Sequence, residues 1–371
     1  MKFKTDRANL HKAAAKLLSV VPPKTTLPIL SNILFELDNE KLSLKVTDLD
    51  VSMTATIEVE TQKTGSIAVP AKIFYEIVKE LPDFDLEVSS FENRLEIKCG
   101  SGIYKMSGLP PDDFPKLPDV HMGRQIKMSG VILNRIIKKV LFAVSRDETR
   151  PSLNGVFWHT KEDSLNLIAT DGHRLAKVGR TDLKIGSHAK DIIIPPKALD
   201  NLVKLMGEDP GEVGIIINES SIVFVLANEI LTSRLLEGPY PNYDQVIPKD
   251  NKKILRVDRE LLNAALRRVA ILSNSLTHQV KFSLRMDELE LTATNFDFGG
   301  EAKEKLAVSY KNEDLEIGYN ANYVLDILKQ VDGDEAIFEL NTSTTAAIVK
   351  SSKKEDNEDH FFLVMPLRLL D

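Results

Sequence analysis

Thr47-Asp48-Leu49-Asp50 reappears as Thr170-Asp171-Gly172-His173 and again as Thr294-Asn295-Phe296-Asp297. The steps between these stretches are 123 and 124 residues. A second landmark keeps the interval. Ile67-Ala68-Val69-Pro70-Ala71-Lys72, Ile192-Ile193-Ile194-Pro195-Pro196-Lys197 and Ile317-Gly318-Tyr319-Asn320-Ala321-Asn322 follow one another at steps of 125 residues. Two landmarks that agree on one period predict a triplicated domain. Solenoid repeats run about 20–50 residues, so a unit this long is a whole domain rather than a solenoid turn.

Each copy reads as two helices on an antiparallel sheet, an α+β domain. A first helix is expected behind Asp6, Ser129 and Asp258, with Leu10, Ala13, Ala14 and Leu17 on one face in copy one. Alternating runs such as Ile33–Leu37 and Leu42–Val46, joined through 38–41, read as hairpins of half-buried strands. A second helix follows the second landmark, where Pro70 and Pro195 suit a helix start. The stretches 110–118 and 239–250 are proline-rich and acidic, which predicts stiff, exposed linkers. The expected domains are 1–118, 127–248 and 252–371. The charged stretch 351–359 reads as a mobile hairpin or loop.

The length, 371 residues, fits two or three domains, and the repeat selects three. One cysteine, Cys99, excludes an intrachain disulfide and fits a reducing cytosol. No run of about 18 apolar residues is present, so no membrane span is expected. The N-terminal residues carry no signal-peptide core. The net charge of −7 argues against a nucleic-acid binder. Its distribution argues differently. The three first helices carry +3, +3 and +2, and the six helical segments together carry +9, leaving −16 for the rest. One reading is that these cations decorate solvated helix faces. The other is that the helices share a surface toward a polyanion, through Arg7, Lys12, Arg135, Lys138, Lys139, Arg267 and Arg268. Such contacts reach phosphates without reading bases.

Catalytic motifs are sparse. Asp171 and His173 share a face if extended, but no nucleophile in an elbow motif accompanies them. The seven histidines are scattered rather than set at metal spacing, and no phosphate-cradling glycine loop occurs. No metal, cofactor or catalytic residue is expected.

Several longer stretches resemble the bacterial sliding-clamp family, the β subunits of DNA polymerase III. They are Leu27-Pro28-Ile29-Leu30-Ser31-Asn32, Thr149-Arg150-Pro151-Ser152-Leu153-Asn154-Gly155 and Ala169-Thr170-Asp171-Gly172-His173-Arg174-Leu175-Ala176. Glu237-Gly238-Pro239-Tyr240-Pro241-Asn242-Tyr243, Ala270-Ile271-Leu272-Ser273-Asn274 and Val364-Met365-Pro366-Leu367-Arg368-Leu369 complete the set. The resemblance covers the whole chain.

The resemblance implies three clamp domains per chain and a head-to-tail dimeric ring of six, with helices lining the hole. It implies a hydrophobic peptide pocket at Leu153, Thr170, Gly172, His173, Arg174, Leu175, Pro241, Val246, Met365, Pro366, Leu367 and Arg368. It places Lys24, Arg150 and Lys197 near the DNA path, and a dimer contact at Tyr104, Met106, Ile271 and Leu272. Pro151 and Ser152 stand where some members carry aromatic residues. The implied partners are a second copy, duplex DNA of any sequence, the polymerase III alpha subunit, the clamp loader delta subunit, and other polymerases and repair proteins. The implied place is the cytoplasm. Two other readings stay open on the residues alone: a hydrolase using Asp171 and His173, and a scaffold that binds proteins but not DNA.

Overall fold

The computed structural model describes residues 1–118, 125–161, 163–183, 185, 190–208, 210–295 and 299–369. Phe296 and Asp297 of the third landmark, His121 and His188, and the last two residues of the chain lie outside the described residues.

Copy one comprises β1 (Lys2–Asp6), α1 (Arg7–Leu17), β2 (Asn32–Asp38), β3 (Lys41–Thr47), β4 (Val51–Glu58), β5 (Glu60–Lys63) and β6 (Gly65–Pro70). It continues with α2 (Ala71–Glu80), β7 (Asp85–Phe91), β8 (Arg94–Cys99) and β9 (Gly102–Ser107). Copy two comprises β10 (Ile126–Ser129), α3 (Gly130–Leu141), β11 (Val156–Thr160), β12 (Leu165–Thr170), β13 (Arg174–Arg180) and β14 (Ile192–Ile194). Then come α4 (Pro196–Met206), β15 (Glu212–Ile217), β16 (Ser221–Val225) and β17 (Glu229–Arg234). Copy three comprises β18 (Lys253–Asp258), α5 (Arg259–Ala270), β19 (Gln279–Arg285), β20 (Glu288–Asn295), β21 (Gly300–Ala307), β22 (Ser309–Tyr310) and β23 (Leu315–Asn320). It closes with α6 (Ala321–Leu328), β24 (Glu335–Leu340), β25 (Ala347–Ser351) and β26 (Glu358–Val364).

The triplication holds strand by strand. One sheet of each copy runs β6-β2-β3-β4, β14-β11-β12-β13 or β23-β19-β20-β21. The other runs β1-β7-β8-β9, β10-β15-β16-β17 or β18-β24-β25-β26. Each copy therefore has two four-stranded antiparallel sheets, not one. Each also opens with a strand, where the sequence pattern predicts a helix. The expected helices end earlier than their apolar pattern, at Leu17, Leu141 and Leu328 rather than 21, 144 and 331.

Local chemistry explains the helix starts. Asp6 Oδ1 accepts from Asn9 N at 2.8 Å, and Asp258 Oδ1 from Leu261 N at 2.8 Å, so each carboxylate caps a helix of its own copy. The first helix buries Leu10, Ala13, Ala14 and Leu17, the residues at helical spacing. Phe35 meets Phe74 of α2 edge to face at 4.9 Å, which joins helix to sheet in one apolar core.

The copies do not end where the chain's compact units end. Strand β17 of copy two pairs with β4 of copy one, and β26 of copy three pairs with β13 of copy two. Main-chain hydrogen bonds thus carry a sheet across each copy boundary, giving sheets of eight and nine strands. One compact unit is Met1–Asn134 with Lys197–Leu235; the other is Arg135–Pro196 with Leu236–Asp371. Each contains a complete joined sheet.

The linkers are exposed along much of their length, as expected, but they are pinned at their starts and anchored by a few apolar side chains. Leu109 N donates to Ala68 O at 2.8 Å, Leu236 N to Ile193 O at 2.9 Å and Leu367 N to Gly318 O at 2.8 Å. These are one bond repeated three times. Phe114 is buried against Leu34 and Ala68, and Tyr240 stacks on Phe157 at 4.7 Å. Their apolar residues gain more by burial than the proline-rich backbone loses in mobility.

Leu10→Ala removes a fully buried side chain and is expected to destabilise by about 2–5 kcal/mol, whereas Asp6→Ala removes only a cap and costs about 1 kcal/mol. Thermal unfolding followed by circular dichroism checks this; equal losses would contradict the assignment of the core face.

Candidate functional site

The Thr170–Arg174 segment is a turn, not the extended strand on which Asp171 and His173 would share a face. Thr170 Oγ1 donates to Arg174 O at 2.7 Å and accepts from Gly172 N at 3.1 Å. Asp171 Oδ1 accepts from His173 N and Arg174 N, each at 2.9 Å. The carboxylate is thereby committed to its own backbone and to Arg174 Nε. It is not a catalytic partner for His173, whose ring stacks instead near Tyr323 at 6.2 Å. Gly172 has φ +89°, a conformation that strains any side chain and favours glycine.

The turn meets the C-terminal stretch directly, for Met365 N donates to His173 O at 2.8 Å. Met365 is 38 % exposed beside it. Below lies an apolar cluster of Ile168, Leu175, Ala346 and Leu363, walled by Phe157, Tyr240, Tyr243 and Phe361. The linker thus contributes its tyrosines to the site. Val246 closes the short helical turn Tyr243–Val246 and is 54 % exposed. Leu153 is buried, and Leu367 is held on Gly318. Arg368 O accepts from Gln279 Nε2 at 3.1 Å. An exposed methionine and an exposed valine thus stand beside aromatic walls.

Arg174 is less available than expected. Its guanidinium bonds Asp171, Asp326 and Phe142 O, and lies 4.6 Å from the Tyr323 ring centroid. It fixes the turn's geometry with each of its three guanidinium nitrogens bonded to the protein. Phe142, Tyr323 and Asp326 were not legible in the sequence, because they reach Arg174 only through the fold.

The candidate cations fall into two groups. Lys12, Lys24, Lys138 and Arg267 are exposed and, among the described residues, make no ion pair. Others are engaged. Arg7 Nε donates to Leu81 O at 3.0 Å, Lys197 pairs with Asp48, Arg150 with Asp147 and Arg268 with Glu304. Lys139 corrects the expectation outright. It is 3 % exposed, and its Nζ is bonded to Gln330 O at 2.7 Å and Asp332 at 2.8 Å, so it cannot meet a phosphate. Arg135 is likewise tied to Glu358 and Asp332.

Strand β9 lies at the end of the sheet β5-β1-β7-β8-β9, and β21 at the end of β21-β20-β19-β23. Tyr104 on β9 and Ile271 after α5 are exposed, the latter at 76 %, and Leu272 is half-buried. Met106 is buried, unlike Tyr104 two residues before it; it is not an exposed anchor. Ile103, missed in the sequence, is the exposed apolar residue of that strand.

A polar network sits under β26. Asp332, Glu358 and His360 bring donor atoms within 4.8 Å of one another, a grouping the scattered histidine spacing concealed. Arg135 and Lys139 already supply positive charge there, and Ser351 Oγ bonds His360 Nε2 at 2.7 Å. Burial alone would raise the Glu358 carboxyl. Hydrogen bonds from His360 and Arg135, with the Arg135 charge, outweigh it and hold the pKa at about 2.

Three family models match the chain in order. The DNA polymerase III beta subunit N-terminal domain matches residues 1–118, the central domain 127–242 and the C-terminal domain 244–368. The Beta sliding clamps of Chlamydia pneumoniae and Pseudomonas aeruginosa are each 34 % identical over 372 residues, covering 100 % of both chains. A solved DnaN sliding clamp from Bartonella birtlesii bound to griselimycin superposes with a TM-score of 0.94 at 35 % identity, over 100 % of both chains. The DNA polymerase sliding clamp from Bacillus subtilis superposes at 0.93 with 29 % identity, again over 100 % of both.

The Glu358 network sets a pH dependence. A carboxyl held below its ordinary 4.5 stabilises the fold above that value, and the contribution is lost as pH falls toward about 2. The unfolding midpoint is expected to drop through this window and to drop less in Glu358→Gln, which starts lower at neutral pH. Parallel curves for the two proteins would contradict it.

Proposed function

The chain belongs to the DNA polymerase III beta subunit family, and on that premise we propose how it performs the task of a sliding clamp. It is a processivity factor without catalysis of its own. Its three clamp domains are assigned as 1–118, 127–248 and 252–371. One rule joins them: the last strand of one copy pairs with the fourth strand of the copy before it, β17 with β4 and β26 with β13. Within the chain β9 and β21 lack the neighbour that rule calls for, each pairing on one side only among the described residues, β9 with β8 and β21 with β20. A second chain supplies both. The contact is head to tail, and two chains with six copies close it into a ring. This repeated strand-joining rule is the observation that carries the proposal. Ile271 and Leu272 after α5 and Tyr104 on β9 cover the joint, with Ile103 added to them.

Duplex DNA passes through the ring. Lys12, Lys24, Lys138 and Arg267 are its free cations, with Arg7, Arg150, Lys197 and Arg268 available by exchanging a protein carboxylate or carbonyl for a phosphate. Such contacts are sequence-blind and weaken with salt. A closed ring gains processivity from topology, so weak contacts serve it better than tight ones. The groove at Thr170–Leu175, Tyr240–Val246 and Met365–Arg368 takes an apolar peptide of the polymerase alpha subunit, the clamp loader delta subunit and other clients. Arg174 acts there as a positioning residue. No described helix is long and apolar enough to cross a membrane. The place assigned is the cytoplasm.

Assembled with its loader on a circular duplex, the protein is expected to stay bound until the circle is cut, then to be lost from the ends; equal retention on both forms would refute encirclement. Ile271→Ala with Leu272→Ala is expected to give monomers in sedimentation, and a variant that stays dimeric would displace the interface.

A further inference from the structure

The groove turn has a twin in copy one. Thr47 Oγ1 bonds Val51 O, and Leu49 N donates to Thr47 Oγ1 at 3.0 Å. Asp48 Oδ1 accepts from Asp50 N at 3.0 Å and Val51 N at 2.7 Å. Arg234 N donates to Asp50 O at 2.9 Å, as Met365 N does to His173 O at 2.8 Å. Every backbone bond of the groove turn is therefore repeated. Here a cavity of about 420 Å³ opens against the turn, in the range of ligand sites.

Its lining is different in chemistry. Leu49 stands where Gly172 stands, at φ +82°, a conformation that strains any residue with a side chain. The strain projects an apolar side chain, 46 % exposed, at the cavity mouth. Leu117 and Pro118 supply apolar walls. Asp48 is neutralised by Lys197. Arg234 and Lys116 line the cavity, are exposed and pair with no carboxylate among the described residues, whereas Asp50 is the one lining acid left unneutralised.

We propose that this cavity is a second peptide groove, selecting a short segment with an acidic side chain beside apolar ones. The leucine-lined turn takes the apolar residues, and Arg234, at the place of Met365, takes the carboxylate together with Lys116. The proposal rests on reading the Thr170–Arg174 groove as a peptide groove. The two grooves differ in that the first presents a methionine where the second presents a cation, so the same fold element reads two peptide chemistries.

The test uses the full chain and an N-acetylated Leu-Asp-Leu-Phe tetrapeptide carrying a photoreactive diazirine leucine, at millimolar concentration, with cross-links mapped by mass spectrometry. Two sets are expected, one at 170–175 and 365–368 and one at 47–52 and 115–118. Met365→Asp removes the first set and leaves the second. Arg234→Glu, and separately Lys116→Glu, both exposed, lower the second by about fivefold or more, a change of about 1 kcal/mol, and leave the first. Cross-links confined to the first set, or a second set indifferent to both charge reversals, overturn the second groove alone. Absence of both sets overturns it together with the reading of the first groove.

Discussion

The pairing of the last strand of one copy with the fourth strand of the preceding copy is the constraint on which the rest depends. It replaces a side-chain interface with main-chain hydrogen bonds, whose directions fix the angle and register of the joint. Through β17 and β4, and through β26 and β13, the copies share sheets rather than touch. The compact units consequently cut through copy two instead of separating the copies. A joint made this way is stiff, and it leaves an open edge at each end of the series. Open edges are templates for another chain.

The joints also create the grooves. At each one the turn after the second strand of a copy's first sheet lies beside the end of the incoming strand. The turn is held by a threonine hydroxyl and an aspartate carboxylate, and the incoming backbone N–H completes it. The linker then crosses over, pinned at Ala68 or Ile193 and packed by Phe114 or by Tyr240 and Tyr243. The proposed peptide surface is therefore a by-product of domain joining. Its specificity is set by the few side chains that differ between copies: Gly172 against Leu49, His173 against Asp50, and Met365 against Arg234. Electrostatics divides labour in the same way. Some cations serve the fold, as Lys139 and Arg135 do on Asp332 and Glu358, while others are left free.

The sequence revealed whatever recurs at short range. The period of about 125 residues predicted three copies, and the positions of Asp6 and Asp258 predicted caps that the structure contains. It concealed what depends on long-range pairing. Strands β10 and β18 are short and abut helices, so their alternation is lost in the helical pattern. Arg174 meets Asp326 across 152 residues of sequence, and no local signal announces Tyr323 as its ring partner. Lys139 reads as one more solvated helix cation until the segment after α6 is seen to cover it.

Amide hydrogen exchange on β9 and β21 as a function of protein concentration addresses the strand-joining rule most directly. Amides of Ile103–Ser107 and Glu301–Leu306 should be protected together at high concentration and lose protection together on dilution, while β4 and β17 stay protected throughout. Exchange at open-edge rates in both segments at every concentration would contradict the rule.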